Sequence, residues 1–574
     1  MKILFVASEA RPFIASGGLA DVAGSLPKAL CDTGNECRVV IPLYKNIPQQ
    51  FRERMEFVRN FNVPLAWRNQ YCGVFKARHQ GVVYYFLDNE YYFKRDNLYG
   101  YYDDAERFAF FSKAAMEMLN YIDFDPDIVH ANDWHTALVP VYLNTFYRGI
   151  PKYHDIKTVF TIHNIQYQGQ YGMEIAWDVL GIPEYQNPVL EYNGCLNMMK
   201  AAIMQVNIVN TVSPSYAMEI HDPWFSHGLD PILNAKGDRV VGILNGIDVQ
   251  ANNPKTDEDI YKNYDVHSLE DKQVNKIELM KEMGLEPDEN RMLIGMVSRL
   301  VSHKGLDLVK YIFDILMRDN VAFVLLGSGD ADYENFFNQM QSRYPGRVAV
   351  KIGFLPNLSK KIYAGADAFL MPSKSEPCGL AQMVAARYGT LPIVRETGGL
   401  KDSIHDMGGD NGNGFTFKTY DAFDMLDAAR RGPVRQQAAV ESGDGQRDEQ
   451  RLQLEQIGKR ICRYVQKNYE RLVCIIKTRE RGKQILLSPL PRCRLFADVK
   501  KCLRRKNDLS RALILVKQLP DTAQKVVVDR LPRSGRIGGR KAPVKKLFPG
   551  ACLRILQAVY LRGSLKETGD GGTG

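Results

Sequence analysis

Short apolar runs alternate with longer segments of mixed polarity from the first residue to about residue 430. The runs are rich in β-branched residues and mostly apolar, which is typical of strands buried on both faces of a parallel sheet. The longer segments between them are predicted to be helices. Strands are predicted at residues 2–7, 37–42, 127–130, 158–162 and 208–212, and in a second block at 291–298, 321–327, 347–353 and 367–371. This alternation predicts an α/β protein built from two doubly wound units.

A turn signal separates the two blocks. Residues 245–248 read NGID, and a polar stretch follows to about residue 275. Because a chain of 574 residues is too long for one ordinary core, two or more domains are expected. We therefore predict an N-terminal Rossmann-like domain at 1–245, a C-terminal one at 246–431, and a separate tail at 432–574.

The tail differs from the rest of the chain in charge. Residues 432–574 hold 32 Lys and Arg against 13 Asp and Glu, whereas residues 1–431 hold 43 basic and 53 acidic residues. All four tryptophans precede the tail, and we expect most of it to be disordered. A basic tail is also typical of a nucleic-acid-binding arm. This one lacks interleaved aromatic residues and an ordered motif, so we expect no nucleic-acid partner.

The sequence indicates neither a membrane span nor a secretory leader. No run approaches the roughly 20 apolar residues of a transmembrane helix, and the apolar start at 2–7 is too short for a signal peptide. The ten cysteines are scattered without paired metal spacing, which argues for reduced thiols and against a zinc site. We predict a cytoplasmic protein with no membrane partner and no metal site.

Two adjacent glycines follow the first predicted strand. Residues 16–22 read SGGLADV and precede a helix predicted at 22–30. Gly17 and Gly18 let the backbone approach a ligand closely, and a helix N-terminus favours negative charge. The segment either lines a ligand pocket or is a tight strand-to-helix turn, and a glycine pair alone does not decide between the two.

Polar and aromatic residues follow the third and fourth predicted strands. Residues 130–136 read HANDWHT and lie at the strand end where open α/β sheets bind ligands. Trp134 could stack on a sugar there; the alternative is a helix capped at Asn132 or Asp133 with a packed tryptophan. His163, after the fourth strand, is a candidate hydrogen-bond donor beside a reacting sugar, although a single histidine is more often structural.

Two cations stand after the first strand of the second block. Arg299 and Lys304 follow residues 295–298. A departing nucleotide diphosphate needs its growing negative charge neutralised, and the sequence shows no metal-binding cluster that would do so. The alternative is solvated surface charge, the usual state of both residue types. Their position near a strand end favours the functional interpretation.

Residues 372–380, PSKSEPCGL, follow another strand of the second block. Glu376 can accept hydrogen bonds from ribose or glucose hydroxyls. Gly379 and Leu380 are predicted to begin the next helix, whose free N–H groups suit a phosphate. The alternative is that Cys378 is a small core residue and Glu376 a favourable charge at a helix N-terminus.

Together these segments closely resemble the bacterial glycogen synthase and plant starch synthase family, glycosyltransferase family five. The resemblance runs from residue 1 to about residue 429, and the number of ordered matches makes chance agreement implausible. The matching segments are 8–9, 17–22, 133–135, 163–164, 199–201, 211–213, 242–248, 298–300 and 376–380.

The resemblance implies a GT-B fold, in which two Rossmann-like domains face a central cleft. It implies transfer of glucose from ADP-glucose to the non-reducing end of glycogen or a maltooligosaccharide, with retention of the α configuration and with no metal or other cofactor. By motif position, Arg299 and Lys304 hold the diphosphate, His163 lies near the glucose, and Glu376 contacts donor hydroxyls. The other residues implied to bind donor or acceptor are Ala15, Gly17, Gly18, Asp21, Asp133, Asn245, Cys378, Gly379 and Leu380.

The chain departs from the family pattern at several places. Ala15 stands where the family has a lysine that contacts the donor, so one cation is missing. Lys374-Ser375 replaces Arg-Phe, His303 replaces a common Gln, and Val384 stands at the second Glu of the broader E-x7-E motif. The helix that crosses back to the first domain is also missing. These departures leave open a catalytically impaired, glucan-binding relative as the alternative function.

A shifted reading frame would account for the tail. Residues 445–449 and 451–455 can be encoded by codons that, read one base later, give the motifs Asn-Ala-Met and Asp-Tyr-Ser-Trp. These two motifs mark the family's closing helix, and they would stand at the usual spacing. We hypothesise a one-base frameshift near Arg431, which the gene sequence would test.

Overall fold

A computed structural model describes residues 1–408, 412–441, 534–537 and 540–543, with side chains to Arg431. Its two lobes lie in one compact unit of the chain, and a C-terminal hairpin belongs to a second unit. The segments of the frameshift hypothesis, and most of the tail predicted to be disordered, lie outside the described residues. The predicted domain boundaries stay predictions.

The first lobe contains twelve strands and eleven α-helices among the described residues. The strands are β1 (Lys2–Val6), β2 (Glu36–Pro42), β3 (Glu56–Leu65), β4 (Arg68–His79), β5 (Val82–Asp88), β6 (Ile128–Asn132), β7 (Lys157–Ile162), β8 (Gln170–Tyr171), β9 (Glu191–Tyr192), β10 (Cys195–Asn197), β11 (Ile208–Thr211) and β12 (Val240–Gly242). The helices are α1 (Gly18–Asp32), α2 (Gln49–Arg52), α3 (Glu90–Phe93), α4 (Asp104–Glu117), α5 (Leu138–Tyr142), α6 (Pro151–His154), α7 (Glu174–Asp178), α8 (Asn187–Leu190), α9 (Met198–Gln205), α10 (Pro214–Glu219) and α11 (Asp230–Lys236).

Nine of these strands form one sheet in the order β12-β11-β7-β6-β1-β2-β5-β4-β3. The six strands from β12 to β2 are parallel, as predicted for all of them but β12, which the sequence did not indicate, and β5 continues them beside β2. Helices were predicted between residues 42 and 127, and this was wrong for β3, β4 and β5, which form an antiparallel edge. The reason is a period-two alternation: Phe61, Val63 and Leu65 are buried and the residues between them are exposed.

The second lobe is a six-stranded parallel sheet in the order β15-β14-β13-β16-β17-β18, flanked by seven helices. All four strands predicted in this block are present. The strands are β13 (Met292–Val297), β14 (Val321–Gly327), β15 (Val348–Ile352), β16 (Ala368–Met371), β17 (Leu391–Arg395) and β18 (Phe415–Phe417). The helices are α12 (Asp271–Glu282), α13 (Leu306–Leu316), α14 (Ala331–Arg343), α15 (Pro356–Gly365), α16 (Ala381–Arg387), α17 (Gly398–Ser403) and α18 (Ala422–Glu441).

Two features concern the predicted tail. Helix α18 continues past Arg431 to Glu441, so the boundary predicted at 431/432 falls inside it. The hairpin consists of β19 (Ser534–Ile537) and β20 (Arg540–Pro543), which pair antiparallel.

Each lobe has its own apolar core, and the two cores meet beside the segment that follows β16. Strand β1, at the centre of the first sheet, and strand β14, beside the edge strand β15 of the second, are buried along nearly their whole length. Cys378 and Met383, which belong to the second lobe, pack into the core of the first. Because the loops after β1, β6, β7, β13 and β16 all leave the carboxyl ends of parallel strands, the fold brings them to the space between the lobes.

Candidate active site

A cavity of about 1470 Å³ lies between the two lobes. All the site residues that were predicted from the sequence line this cavity, and they come from both lobes. The first lobe contributes Ala15, Gly17, Gly18, Asp21, Asp133, His163 and Asn245, and the second contributes Arg299, Lys304, Glu376, Cys378, Gly379 and Leu380. The structure thus brings the whole predicted set around one space, which is large enough for a nucleotide sugar and an acceptor.

Lys304 and Glu376 form an ion pair on the wall of the second lobe. Lys304 Nζ lies 2.6 Å from Glu376 Oε2, and Ser373 Oγ donates to the same oxygen at 3.0 Å. Their side chains are only 16% and 9% exposed, so the pair is poorly screened by solvent. Glu376 is therefore held in place by two donors, while the ammonium of Lys304 keeps further N–H groups for a ligand.

Gly305 places Lys304 beside the loop that follows β16. Gly305 adopts φ +73°, and a Cβ built there would lie 2.0 Å from the carbonyl oxygen of Pro372. Only a residue without a side chain permits that approach, because both the conformation and the space exclude a Cβ. The contact joins the end of the β13 loop to the start of the β16 loop, from which Glu376 projects.

Arg299 supplies the second positive charge of this wall. It is exposed and lines the cavity two residues after β13. The neighbouring His303 adds none at neutral pH, because burial, reinforced by Lys304 and Arg299, lowers its pKa to about 4. Two cations, one exposed and one anchored by Glu376, thus face the cavity from the second lobe.

Asp133 organises the opposite wall. Its backbone adopts φ +56°, which is uncommon for a residue other than glycine. Its Oδ1 accepts the backbone N–H groups of His163 at 2.7 Å and of Asn164 at 3.4 Å. Burial raises the pKa of this carboxyl to about 7. Asp133 therefore joins the loops that follow β6 and β7.

His163 is a neutral hydrogen-bonding group. Its Nε2 lies 3.0 Å from Asn132 Oδ1, while Asn132 Nδ2 donates to the carbonyls of Val6 and His130 at 3.0 and 3.3 Å. Because that oxygen is an acceptor, the imidazole N–H is on Nε2 and Nδ1 is left as an acceptor. Burial lowers the pKa of His163 to about 3. The sequence suggested a donor role beside the sugar; the ring N–H is instead engaged by Asn132.

The glycine loop after β1 faces the second lobe. A Cβ on Gly18 would lie 3.5 Å from Leu380 Cδ1, so the loop and the segment after Glu376 approach each other across the cavity. Helix α1 begins at Gly18, earlier than the predicted residue 22. Asp21 pairs with Arg11 at 2.6 Å, and both side chains are more than two-fifths exposed.

The segment after Glu376 corrects one prediction. Helix α16 begins at Ala381 rather than at Gly379, because Gly379 adopts φ +68° and cannot continue a right-handed helix. Cys378 is 5% exposed and burial raises the pKa of its thiol to about 12, which agrees with the interpretation as a core residue. Trp134 is likewise packed, at 9% exposure, with its ring against His135 and Phe108, although the residue still lines the cavity.

Glu9 is a cavity residue that the sequence reasoning missed. It follows β1, is 3% exposed, and its carboxylate accepts the backbone N–H of Ser16. Burial raises the pKa of Glu9 to about 7. The Ser8-Glu9 pair was part of the family resemblance, so its position after the first strand could have identified it.

Replacement of Glu9 by glutamine is expected to stabilise the protein more at high pH than at low pH. Between about pH 4.5 and pH 7 the unfolded chain loses the Glu9 proton while the folded chain keeps it, so stability falls as the pH rises and then levels off. We expect the gain in unfolding free energy of Glu9→Gln over wild type to be about 2 kcal/mol larger at pH 8 than at pH 5. Denaturant titrations at both pH values measure this.

Glu53→Gln, which alters an exposed glutamate, is the matched control, and its effect should be the same at both pH values. A Glu9→Gln variant whose stability difference does not change with pH would show that Glu9 is ionised in the folded protein at all these pH values.

Hydrogen bonds between α10 and α17 join the two lobes. Asp402 accepts from the backbone N–H and the hydroxyl of Ser215, both at 2.7 Å. Glu219 Oε1 accepts from the Thr397 hydroxyl at 3.1 Å and the Gly398 N–H at 2.8 Å. These bonds join α10 of the first lobe to α17 of the second, so α10 helps to set the width of the cavity.

Neither a metal-binding cluster nor a membrane-spanning helix is present in the part of the chain that the structure describes. The described residues contain no group of three or more His, Cys, Asp and Glu side chains that could hold a metal ion. Within the same residues, no helix is long and apolar enough to cross a membrane.

Two family models match the chain. Residues 2–235 match the starch synthase catalytic domain, and residues 280–431 match the glycosyl transferases group 1 family. The first range contains all strands of the nine-stranded sheet except β12, and the second contains the whole six-stranded sheet.

Curated relatives match over most of their length. The glycogen synthase of Geobacillus thermodenitrificans is 49% identical over 435 residues, which are 75% of this chain and 90% of that protein. The glycogen synthase of Bacillus cereus (strain Q1) is 48% identical over 435 residues, which are 75% of this chain and 91% of that protein.

Solved structures share the architecture. The catalytic domain of starch synthase IV from Arabidopsis thaliana, bound to ADP and acarbose, superposes with a TM-score of 0.74 at 30% identity and covers 82% of this chain and 99% of that one. Sucrose-phosphate synthase from Thermosynechococcus elongatus gives a TM-score of 0.51 at 15% identity, covering 84% and 98%, and shows the fold alone. The GT-B fold predicted from the sequence is confirmed.

Proposed function

Since the chain belongs to the glycogen and starch synthase family and is a glucosyltransferase that elongates a glucan, we propose that its donor is ADP-glucose. The acceptor in this proposal is the non-reducing end of an α-1,4-glucan, either glycogen or a maltooligosaccharide, and the α configuration is retained. The observation that carries the proposal is the convergence of Arg299, Lys304 and Glu376 in the cavity between the lobes. The starch synthase bound to ADP and acarbose supports the same ligand classes.

In this proposal the second lobe stabilises the leaving group. As the bond between glucose and diphosphate lengthens, negative charge grows on the phosphate oxygens, and the cations of Arg299 and Lys304 compensate it. Lys304 is already fixed by Glu376 at 2.6 Å, so little reorganisation is needed when the charge develops. The proposal includes no metal ion or other cofactor.

The first lobe positions the sugar and the acceptor in this proposal. The Nδ1 of neutral His163 can accept a hydrogen bond from a glucose hydroxyl, and Glu376 can accept another from the opposite wall. Asp133 fixes the loop that carries His163 through two backbone N–H groups. The hydrogen bonds between the lobes would keep them closed over the site. The closed site would exclude water and so limit hydrolysis of the donor.

Incorporation of label from radioactive ADP-glucose into glycogen tests the proposal on the full chain. We expect transfer from ADP-glucose that exceeds transfer from UDP-glucose, with products sensitive to an α-1,4-specific glucosidase. Transfer from UDP-glucose alone would contradict the donor assignment, and products resistant to that enzyme would contradict formation of an α-1,4 bond.

Lysine at position 15 is expected to improve donor binding. Ala15 lines the cavity in the loop whose Gly18 faces Leu380, so a lysine there can reach the phosphate side of the site. A further partly buried cation near a diphosphate should lower the KM for ADP-glucose about fivefold in Ala15→Lys, with a smaller change in kcat. Initial rates at varied ADP-glucose measure both constants.

The matched control for Ala15→Lys is Ala15→Gln, which adds similar bulk without charge. A fall of KM in the glutamine variant as well would show that charge is not the cause. The alternative of a catalytically impaired relative depends on this position and on residues beyond Glu441, most of which lie outside the described part of the chain.

A further inference from the structure

His303 lies between Arg299 and Lys304 in the chain and lines the same cavity as these two cations. It belongs to a single 3₁₀ turn, Ser302–Lys304, in the loop that follows β13. The side chain is half-buried, and no hydrogen bond joins its ring to any residue in the described part of the chain. The ring nitrogens are therefore available to a ligand in the cavity.

The backbone of His303 is held by the loop that follows β16. Its carbonyl oxygen accepts the backbone N–H of Lys374 at 2.9 Å. Gly305, two residues further on, packs against Pro372 so closely that a Cβ built on it would lie 2.0 Å from the Pro372 carbonyl oxygen. These two contacts fix the imidazole next to Lys304, where the diphosphate of the donor is proposed to bind.

Four charged side chains act on the imidazole of His303, from three segments of the second lobe. Lys304 and Arg299, in its own loop, disfavour a proton on the ring. Glu376, after β16, and Asp330, after β14, favour one. Burial and the two cations prevail, and together they lower the pKa of His303 to about 4. In the free protein the ring is therefore neutral at pH 7.

Two further charged side chains that line the cavity near this loop are engaged by aromatic residues. The ammonium of Lys374 lies 5.8 Å from the ring centroids of both Trp224 and Tyr420. The hydroxyl of Tyr420 donates to Asp307 at 2.5 Å. The charge on His303 is therefore set mainly by the four groups named above.

A donor diphosphate would reverse the balance of charge at His303. Its negative charges would lie against Lys304 and Arg299 and offset the positive potential that keeps the imidazole neutral. Its phosphate oxygens would also accept a charge-assisted hydrogen bond from an imidazolium N–H. Both effects stabilise the charged form of the ring.

Two departures from the family pattern meet at this cavity. Ala15 stands where the family has a lysine that contacts the donor, and His303 replaces a common glutamine. The two residues line the cavity from opposite lobes. Glutamine cannot become charged, whereas the charge of histidine changes readily near neutral pH. The chain thus lacks one permanent cation and has gained a group that can become one.

We propose that His303 takes up a proton from the solvent when the diphosphate of the donor enters the cavity, and that it then binds the phosphates as a third cation. The proton returns to the solvent when the diphosphate leaves, so each cycle restores the free protein. A cation that forms only with the donor avoids repulsion between three positive charges in the free protein. This inference rests on the proposed function, since it requires a donor that carries a diphosphate.

Calorimetric titration of the full chain with ADP-glucose, without glucan and in buffers of different ionisation enthalpy, counts the protons taken up on binding. At pH 7 we expect His303→Gln to take up about 0.5–1 proton fewer per donor bound than wild type. The buried cavity carboxyls of Glu9 and Asp133 also have a pKa of about 7. Their contribution, and that of the ligand, is common to both proteins and cancels in the difference.

The affinity for ADP-glucose should depend on pH through the same residue. We expect wild type to bind the donor about tenfold more tightly than His303→Gln at pH 6, and within about twofold of it at pH 9. The advantage grows as the pH falls because binding consumes a proton. His303→Lys carries a permanent charge, so its advantage over His303→Gln should be the same at both pH values. A purely structural role of His303 would give a difference between wild type and His303→Gln that does not vary with pH.

The matched control is His154→Gln, which alters a histidine that is 70% exposed and lies outside the residues that line the cavity. It should change neither the proton count nor the affinity. Equal proton uptake by wild type and His303→Gln would overturn the inference and leave the donor assignment in place. Failure of wild type to bind ADP-glucose would overturn both. His303→Asn serves the same comparison if the glutamine variant does not fold.

Discussion

Replacement of Lys304 by alanine is expected to lower kcat for glucosyl transfer by about 10²–10³-fold. The ammonium lies 2.6 Å from Glu376 and is only 16% exposed, so its charge acts in a poorly screened part of the cavity. Its loss removes compensation for the leaving diphosphate and leaves Glu376 with one donor, Ser373, at 3.0 Å. Initial rates of ADP release and of glucose incorporation measure the effect.

The matched control is Lys361→Ala. Lys361 forms an ion pair of the same 2.6 Å length with Glu282 in the same lobe, outside the residues that line the cavity. We expect its removal to leave kcat unchanged, since partly exposed ion pairs contribute little. A Lys304→Ala enzyme with kcat within fivefold of wild type would rule out Lys304 as the compensating cation.

A double-mutant cycle with Glu376→Gln examines the coupling within the pair. Because the two side chains are in contact, their effects on kcat/KM should not add, and the double variant should be hardly worse than Lys304→Ala alone. Fully additive losses would show that the two residues act on separate steps.

Removal of the carboxylates between α10 and α17 is expected to lower transfer to glycogen about 100-fold. In the double variant Glu219→Ala/Asp402→Ala, four hydrogen bonds between the lobes are lost. Gly398, which donates to Glu219, packs so closely that a Cβ built on it would lie 2.0 Å from the Glu376 carbonyl oxygen. A shift at this contact therefore moves Glu376, and a displacement of about 1 Å can cost about 10²-fold in rate.

The fraction of ADP-glucose that is hydrolysed distinguishes this effect from lost chemistry. Looser contact between the lobes admits water, so free glucose should rise relative to glucose incorporated. The control, Asp314→Ala, removes a carboxylate that accepts from Tyr344 and pairs with Arg343 within the second lobe, and it should change neither rate nor ratio. A double variant that hydrolyses no more donor than wild type would show that α10 does not control access of water.

Much of the candidate site could be predicted because its residues belong to short segments at strand ends. Glu376, for example, follows a strand that the apolar run at 367–371 identified, and parallel strands deliver such segments to one edge of the sheet. The residues missed carried weaker local signals. Glu9 has only a neighbouring serine in the motif, and β3 alternates buried and exposed residues at 61–65 instead of forming a continuous apolar run.

The amino-acid sequence sufficed to identify the two α/β blocks, the strand ends and the types of side chain at each, because apolar periodicity and motif spacing are local properties. It could not supply the contact between Lys304 and Glu376, which are 72 residues apart. Nor could it show that His163 is neutral with its N–H on Nε2, or that Asp133 has a pKa of about 7. Those properties depend on burial and on partners from distant segments, and only the folded chain sets both.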